Sequence, residues 1–168
     1  VVFSIGVAIG SVAVGALLKG EVSARYAPQS VLAMGAFVVA FYAVCKVWET
    51  DQPTELLNIA GFLAWPMASL ILLCLLGVAI AGGMFVVPLY AFLTTRASPE
   101  KASRTIAANN IVNSGAMVGG SLLAMGMSAA GVPIVEQVLI SAAMCVFSAW
   151  LGRKLLLAER EAAAAVAV

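Results

Sequence analysis

The residues with the most chemical potential in this chain are three amides on one short stretch, RTIAANNIVNSGAMVGG, which contains Asn109, Asn110 and Asn113. An amide can donate and accept hydrogen bonds but does no acid, base or nucleophilic work, so the chemistry on offer is recognition of a polar group. In a helix Asn109 and Asn113 share one face and Asn110 shares the next with Ser114, giving a polar stripe about 60 to 100° wide. Amides in hydrocarbon are costly, so they either bond across to neighbouring helices or face a watery cavity and meet a polar ligand. Spacing alone gives the packing reading the edge.

Other chemistry has little to build on. The chain has no histidine, and its three cysteines, Cys45, Cys74 and Cys145, each sit in an apolar run. They are expected to be small buried hydrophobes, with no metal site, cofactor or disulfide framework. No basic patch interleaved with aromatics points to nucleic acid. No Asp, Glu or His falls in the central part of an apolar run, so no proton or sodium relay is expected within this segment.

The setting that must position the amides is a membrane. Of 168 residues, 63% are hydrophobic and 10% charged, and the mean hydropathy is +1.08, against about 25% charged in soluble domains. Crossing roughly 30 Å of hydrocarbon takes about 20 apolar residues. Five such windows are expected as helices, near 1–18, 31–48, 67–93, 105–128 and 133–152. The expected fold class is thus an all-α membrane protein with five transmembrane helices, a bundle over 1–152 and a tail over 153–168. The tail, rich in alanine, is left open between helix, linker and disordered end.

Charge sets the expected orientation. Lys19 and Arg25 follow the first window, Arg96, Lys101 and Arg104 the third, and Arg153, Lys154 and Arg160 the fifth. The other side collects Glu49, Asp51, Glu55 and Glu136, with Lys46 as its one basic residue. The positive-inside rule then predicts a cytoplasmic C-terminus and an external first residue. Trp48 and Trp65 suit the outer headgroup belt and Trp150 the inner one. Val1 opens directly in an apolar run, and an odd number of spans starting outside suggests the tail end of a larger protein.

The connections carry their own signals. Leu56 to Leu63 reads as an interfacial turn or short helix ending at Pro66. Ser98 as N-cap, Pro99 at the first helical position and Glu100 one turn before Arg104 predict that the fourth span starts as a helix outside the hydrocarbon. Small residues recur at one-turn spacing in Gly6/Gly10, Ser11/Gly15, Gly115/Gly119 and Gly120/Ala124, which predicts tight helix packing. Pro88, a turn and a half after Gly82 and Gly83, predicts a kink that either accommodates a neighbour or flexes as a gate.

From Gly77 to Gly120 the sequence GVAIAGGMFVVPLYAFLTTRASPEKASRTIAANNIVNSGAMVGG resembles the segment spanning the tenth and eleventh helices of the major facilitator superfamily. More narrowly it resembles the bacterial lysophospholipid transporter branch, including transporter modules fused to acyltransferase and acyl-ligase domains. The glycine pair Gly82 and Gly83, the VVPLYAFL run with Pro88 and the IAANNI run with Asn109 and Asn110 carry the likeness. FSIGVAIGSVAVGALLKGEV is similar to the eighth helix and its following loop, although of that loop's usual charges only Lys19, Glu21 and Arg25 remain, and TTR stands where the branch more often has a Gln-Glu-Arg type sequence.

The resemblance implies helices eight to twelve of a twelve-helix transporter, most of its C-terminal six-helix bundle, with about seven spans in a missing N-terminal part. It implies transport of a lysophospholipid across the bacterial inner membrane by alternating access. Expected substrate-binding or gating residues are Asn109, Asn110, Asn113, Phe85, Tyr90 and Arg104, with Met84 and Met117 as further apolar lining and Gly82, Gly83, Pro88, Gly115 and Gly119 as hinge or packing positions. The expected partners are the bilayer, an amphipathic lipid or small organic substrate, and the missing half. Efflux of another small solute uses the same fold. A membrane module of a larger phospholipid acyltransferase is a third possibility, but that chemistry uses a histidine and so lies outside this chain.

Overall fold

A computed structural model of the chain describes residues 1–50, 58–96 and 99–166. These form six helices: α1 (Val2–Leu18), α2 (Ala27–Thr50), α3 (Ile59–Ala64), α4 (Pro66–Arg96), α5 (Pro99–Ala129) and α6 (Ile134–Val166). No strand occurs among the described residues. An apolar chain with no water to bond must satisfy its backbone within each segment, and long helices do so.

Four of these helices, α2, α4, α5 and α6, are long and apolar enough to cross a membrane. The first window forms a shorter apolar helix, with 17 residues in α1, about 25 Å at 1.5 Å per residue. The other windows prove longer than their apolar cores suggest, because each helix runs on into its polar flanks. In α6 the helix continues unbroken from the apolar run to Val166, so the alanine-rich tail is helical up to that point.

Local sequence explains the ends. Lys19 closes α1 in the left-handed region and Gly20 follows at φ +81, where a side chain would be strained. Between α5 and α6 the Val132 N–H donates back to Met127 O and Gly131 takes φ +82, the hydrogen-bond pattern of a Schellman end, with Pro133 blocking continuation. Asn58 caps α3 by accepting from the Gly61 N–H at 2.7 Å. The expected short helix thus occupies Ile59–Ala64, while Leu56 and Leu57, like Asp51 and Glu55, lie outside the described residues. So does Ser98, although α5 does begin at Pro99; the Glu100–Arg104 pairing falls outside the described side chains.

Packing centres on α4, which lies between α1 and α2; α2 in turn packs against α6, and α5 touches α4 and α6 only lightly. Small residues make the close contacts. A Cβ on Gly6 would stand 2.6 Å from the Ala79 Cβ, one on Gly10 would collide with the Ile80 carbonyl, and one on Gly83 would stand 2.6 Å from Val7 O. The Gly6/Gly10 spacing therefore meets Ala79 and Ile80, and Gly83 meets Val7 and Ser11 in return, across a parallel pair of helices. On the other side of the bundle a Gly35 Cβ would lie 3.0 Å from the Cys145 Cβ, beside a core of Val31, Cys145 and Ala149. In lipid such contacts hold helices together by dispersion and shape, since there is little hydrophobic drive.

The antiparallel pairing of α2 with α6 collects charge at two ends. Lys19, Arg25, Lys101, Arg104, Arg153, Lys154 and Arg160 belong to one end of the bundle, where the Ala24 N–H and Ser23 hydroxyl donate to Glu159 at 3.1 and 3.4 Å. Lys46, Glu49 and Glu136 belong to the other, with Trp48 edge-on to Trp65 at 6.4 Å.

Replacing Gly10 or Gly83 by leucine should force α1 off α4 and cost about 1–3 kcal/mol, read as a lower thermal midpoint in detergent. Gly15, which has nothing within 4 Å of its would-be Cβ, should accept alanine with no loss.

Candidate functional site

Between α2, α4, α5 and α6 lies a cavity of about 770 Å³. Its walls follow from helix periodicity: Val31, Met34, Val38 and Phe41 recur at one-turn spacing on α2, and Gly119, Gly120, Leu123, Ala124 and Met127 do so on α5. The surface is overwhelmingly apolar, with polar atoms supplied mainly by α6, where Gln137, Ser141 and Ser148 share a face. The volume falls within the range of about 300–1,000 Å³ usual for small-molecule sites. An opening of this character accepts a hydrocarbon body and offers hydroxyl and amide groups to little else.

Phe85 lines the cavity and packs on the Val31–Cys145–Ala149 core, and Gly119 forms part of the α5 wall. Asn109, Asn110 and Asn113 are not among the lining residues, and neither are Met84, Met117, Tyr90 or Arg104. Asn109 is half-buried; Asn110, Asn113, Tyr90 and Arg104 are exposed. The register of α5 nevertheless matters. Counting 100° per residue, Asn109 and Asn113 fall within about 60° of the Ala116, Gly120 and Met127 direction, whereas Asn110 points about 100° away from Asn109. Two of the three amides therefore continue the cavity wall toward the basic end, Asn113 one turn before Ala116 and Asn109 two turns before it.

The expected hinge and packing positions divide into two groups. Gly82 and Gly83 both sit at helix contacts, Gly82 near the Met34 sulfur and Gly83 against α1 at Val7 and Ser11. Pro88 is buried within α4, which continues through it as one helix although Pro88 has no N–H to offer the Met84 carbonyl. Gly115 and Gly119, by contrast, meet open space. Every residue from Ile111 to Gly126 is exposed, so α5 presents its small-residue face to the cavity on one side and has no helix against the other.

Sequence reasoning missed the polar side of the cavity and a charged cluster at the acidic end of the bundle. Gln137, Ser141 and Ser148 were legible as an i, i+4, i+11 set on one helical face. The cluster was not: Lys46 Nζ stands 2.8 Å from Glu136 and 3.2 Å from Glu49, and the Tyr42 hydroxyl donates to Glu136 at 3.0 Å. Next to it, the Gln137 amide donates to the Ser128 hydroxyl at 2.9 Å and to the Val132 carbonyl at 3.0 Å, fastening α6 to the end of α5. These bonds join α2, α5 and α6 at the acidic end of the cavity, and no sequence-local rule connects residue 46 with residue 136.

Among the described residues no group of three His, Cys, Asp or Glu side chains comes together as a metal site. Cys74 and Cys145 are buried, Cys45 is half-buried, and all three are free thiols.

No family model, curated protein or solved structure matches the chain.

Charge reversal checks the acidic-end cluster. Lys46→Glu should lower the thermal midpoint by placing three carboxylates together, and adding Glu136→Lys should recover most of the loss. A double variant no more stable than Lys46→Glu alone would show that the two side chains do not interact.

Proposed function

We propose that the chain supplies helices eight to twelve of a major facilitator type carrier that moves a lysophospholipid across the bacterial inner membrane by alternating access. The observation that carries this reading is the apolar cavity of about 770 Å³ whose α5 wall continues on the same face into Asn109 and Asn113. A single-chain lipid has a hydrocarbon part suited to Val31, Phe85, Leu123 and Met127, and a polar head suited to amides placed beyond them. Burial of the chain would contribute about 0.8 kcal/mol per methylene, while the amides would fix which way the molecule points.

In this reading α1, 17 residues and about 25 Å long, is the fifth crossing. The segregation of basic residues supports a cytoplasmic basic end and C-terminus. The exposed far side of α5 is where the N-terminal half of the carrier would pack, which accounts for a helix with an apolar outer surface and no neighbour there. The chain itself does no covalent chemistry; it binds, orients and moves its substrate.

Uptake of labelled lysophosphatidylethanolamine by spheroplasts expressing the gene product that carries this chain tests the proposal directly, and absence of uptake overturns it. Asn109→Ala with Asn113→Ala should lower uptake per inserted molecule by about tenfold, equivalent to 1.4 kcal/mol, with membrane insertion unchanged. Poor insertion with normal activity per molecule would instead assign the amides to helix packing. For orientation, single thiols at Glu49→Cys and Lys101→Cys should react with impermeant reagent from opposite faces of the membrane.

A further inference from the structure

We infer that the outer seam between α2 and α6 is a binding site for one anionic phospholipid, with an acyl chain in the seam and its phosphate at Arg153. The site is separate from the transport cavity, and its assignment needs only that α2 and α6 lie in a bilayer. A groove of about 300 Å³ runs along this seam, on the opposite side of the α2–α6 contact from the large cavity, with Cys145 between the two and bordering both. Its walls are Leu32, Ala36 and Val39 of α2 and Ala143 and Val146 of α6, all exposed, so the groove is open to surrounding lipid along its length. Its floor is Gly35 against Ala142 and Cys145. The groove's lining is apolar, so hydrocarbon is its natural occupant.

Toward the basic end the seam narrows where Pro28 closes on Gly152. Beyond that point the same face of α6 turns from apolar to cationic. Arg153 and Arg160 follow Val146 at seven and fourteen residues, a spacing that drifts only about 20° per step around a helix. Arg153 therefore stands about 10 Å past Val146 on the groove's own face. Both arginines are exposed, and neither makes an ion pair or hydrogen bond within the described residues. The acid nearest Arg153 in sequence, Glu159, lies about 120° from it around α6 and is engaged by Ser23 and Ala24, while Arg160 has Glu159 and Glu161 as its sequence neighbours, each about 100° away. Glu161 lies about 80° off the Arg153 direction.

Two further groups frame the head of the groove. Trp150 is 51% exposed, stacks on Phe147 at 5.9 Å and carries Lys154 over its ring at 3.9 Å. Arg25 lies just before α2 starts, its guanidinium 5.5 Å from the Tyr26 ring, and adds to the positive charge at this end of the two helices. A slot for hydrocarbon that ends at the unpaired Arg153 guanidinium and an amphipathic indole complements a chain attached to a phosphate. The surplus of positive charge selects a lipid with net negative charge over a zwitterionic one, whose own cation would meet Arg153 and Lys154.

The full chain in phosphatidylcholine nanodiscs, with Trp48→Phe and Trp65→Phe so that Trp150 alone emits, provides the test. Phosphatidylglycerol brominated on its acyl chains should quench Trp150 at about fivefold lower mole fraction than brominated phosphatidylcholine. Arg153→Ala should bring the two lipids together, Arg153→Lys should keep most of the difference, and Ala143→Phe, which fills the groove, should weaken quenching by the anionic lipid. Glycerol phosphate, which has no chain, should not compete. Equal quenching by the two lipids overturns the proposal, as does a preference that survives both Arg153→Ala and Ala143→Phe. If Arg153→Ala fails to insert, the Ala143→Phe variant decides alone.

Discussion

Helix backbones in this protein meet closely enough that one added methyl group would collide with a neighbour, and the rest of the structure is arranged around those meetings. Gly6, Gly10 and Gly83 bring α1 against α4, and Gly35 brings α2 against Cys145 of α6. In water a bundle gains stability by removing apolar surface from solvent, but lipid is as apolar as leucine, so contact at short range must supply what transfer does not. That requirement selects small residues where helices cross and leaves larger ones, such as Phe85, Met34 and Phe41, to border the space between helices. The cavity is therefore a product of the same rule that closes the interfaces. Where glycine and alanine meet another helix the bundle is tight, and where Gly119, Gly120 and Ala124 meet none, it is open.

Much of this was legible from residue types alone. Long apolar windows separated by charge point to five spans, since backbone satisfaction in hydrocarbon allows little else; the structure has four helices of spanning length and one shorter apolar helix in those windows. Pro66, Pro99 and Pro133 mark starts that the structure respects to within a residue, because a ring without an N–H is tolerated only there. The alanine-rich stretch continues α6 as helix to Val166, in keeping with alanine's helix propensity, and Glu159 just before it is held by the Ser23 hydroxyl and the Ala24 N–H.

Relations between distant residues were not legible. The repeated small-residue spacing in α1 and in α5 looks the same in sequence, yet Gly6 and Gly10 touch Ala79 and Ile80 while Gly115 and Gly119 touch nothing. Spacing states that a helix can be approached closely, and only the fold determines whether anything approaches. The asparagines show the same limit in another form. Their place on one face follows from period 3.6, but that this face continues the wall of a cavity depends on how α5 is rotated relative to α2 and α6. Lys46 and Glu136 are a third case, since two charges ninety residues apart are connected by antiparallel packing and by no local pattern.

The two ties between α2 and α6 have a mechanical result. Lys46 near the end of α2 grips Glu136 at the start of α6, and the residues immediately before α2 grip Glu159, about 35 Å further along the same unbroken helix. Two rods clamped at both tips, with Gly35 keyed against Cys145 midway, cannot slide past one another by a turn without releasing every fastening at once. They form a stiff plate. The leaf with the lightest helix contacts is α5, joined to α6 by the glycine turn at Gly131 and by the Gln137 bonds across it.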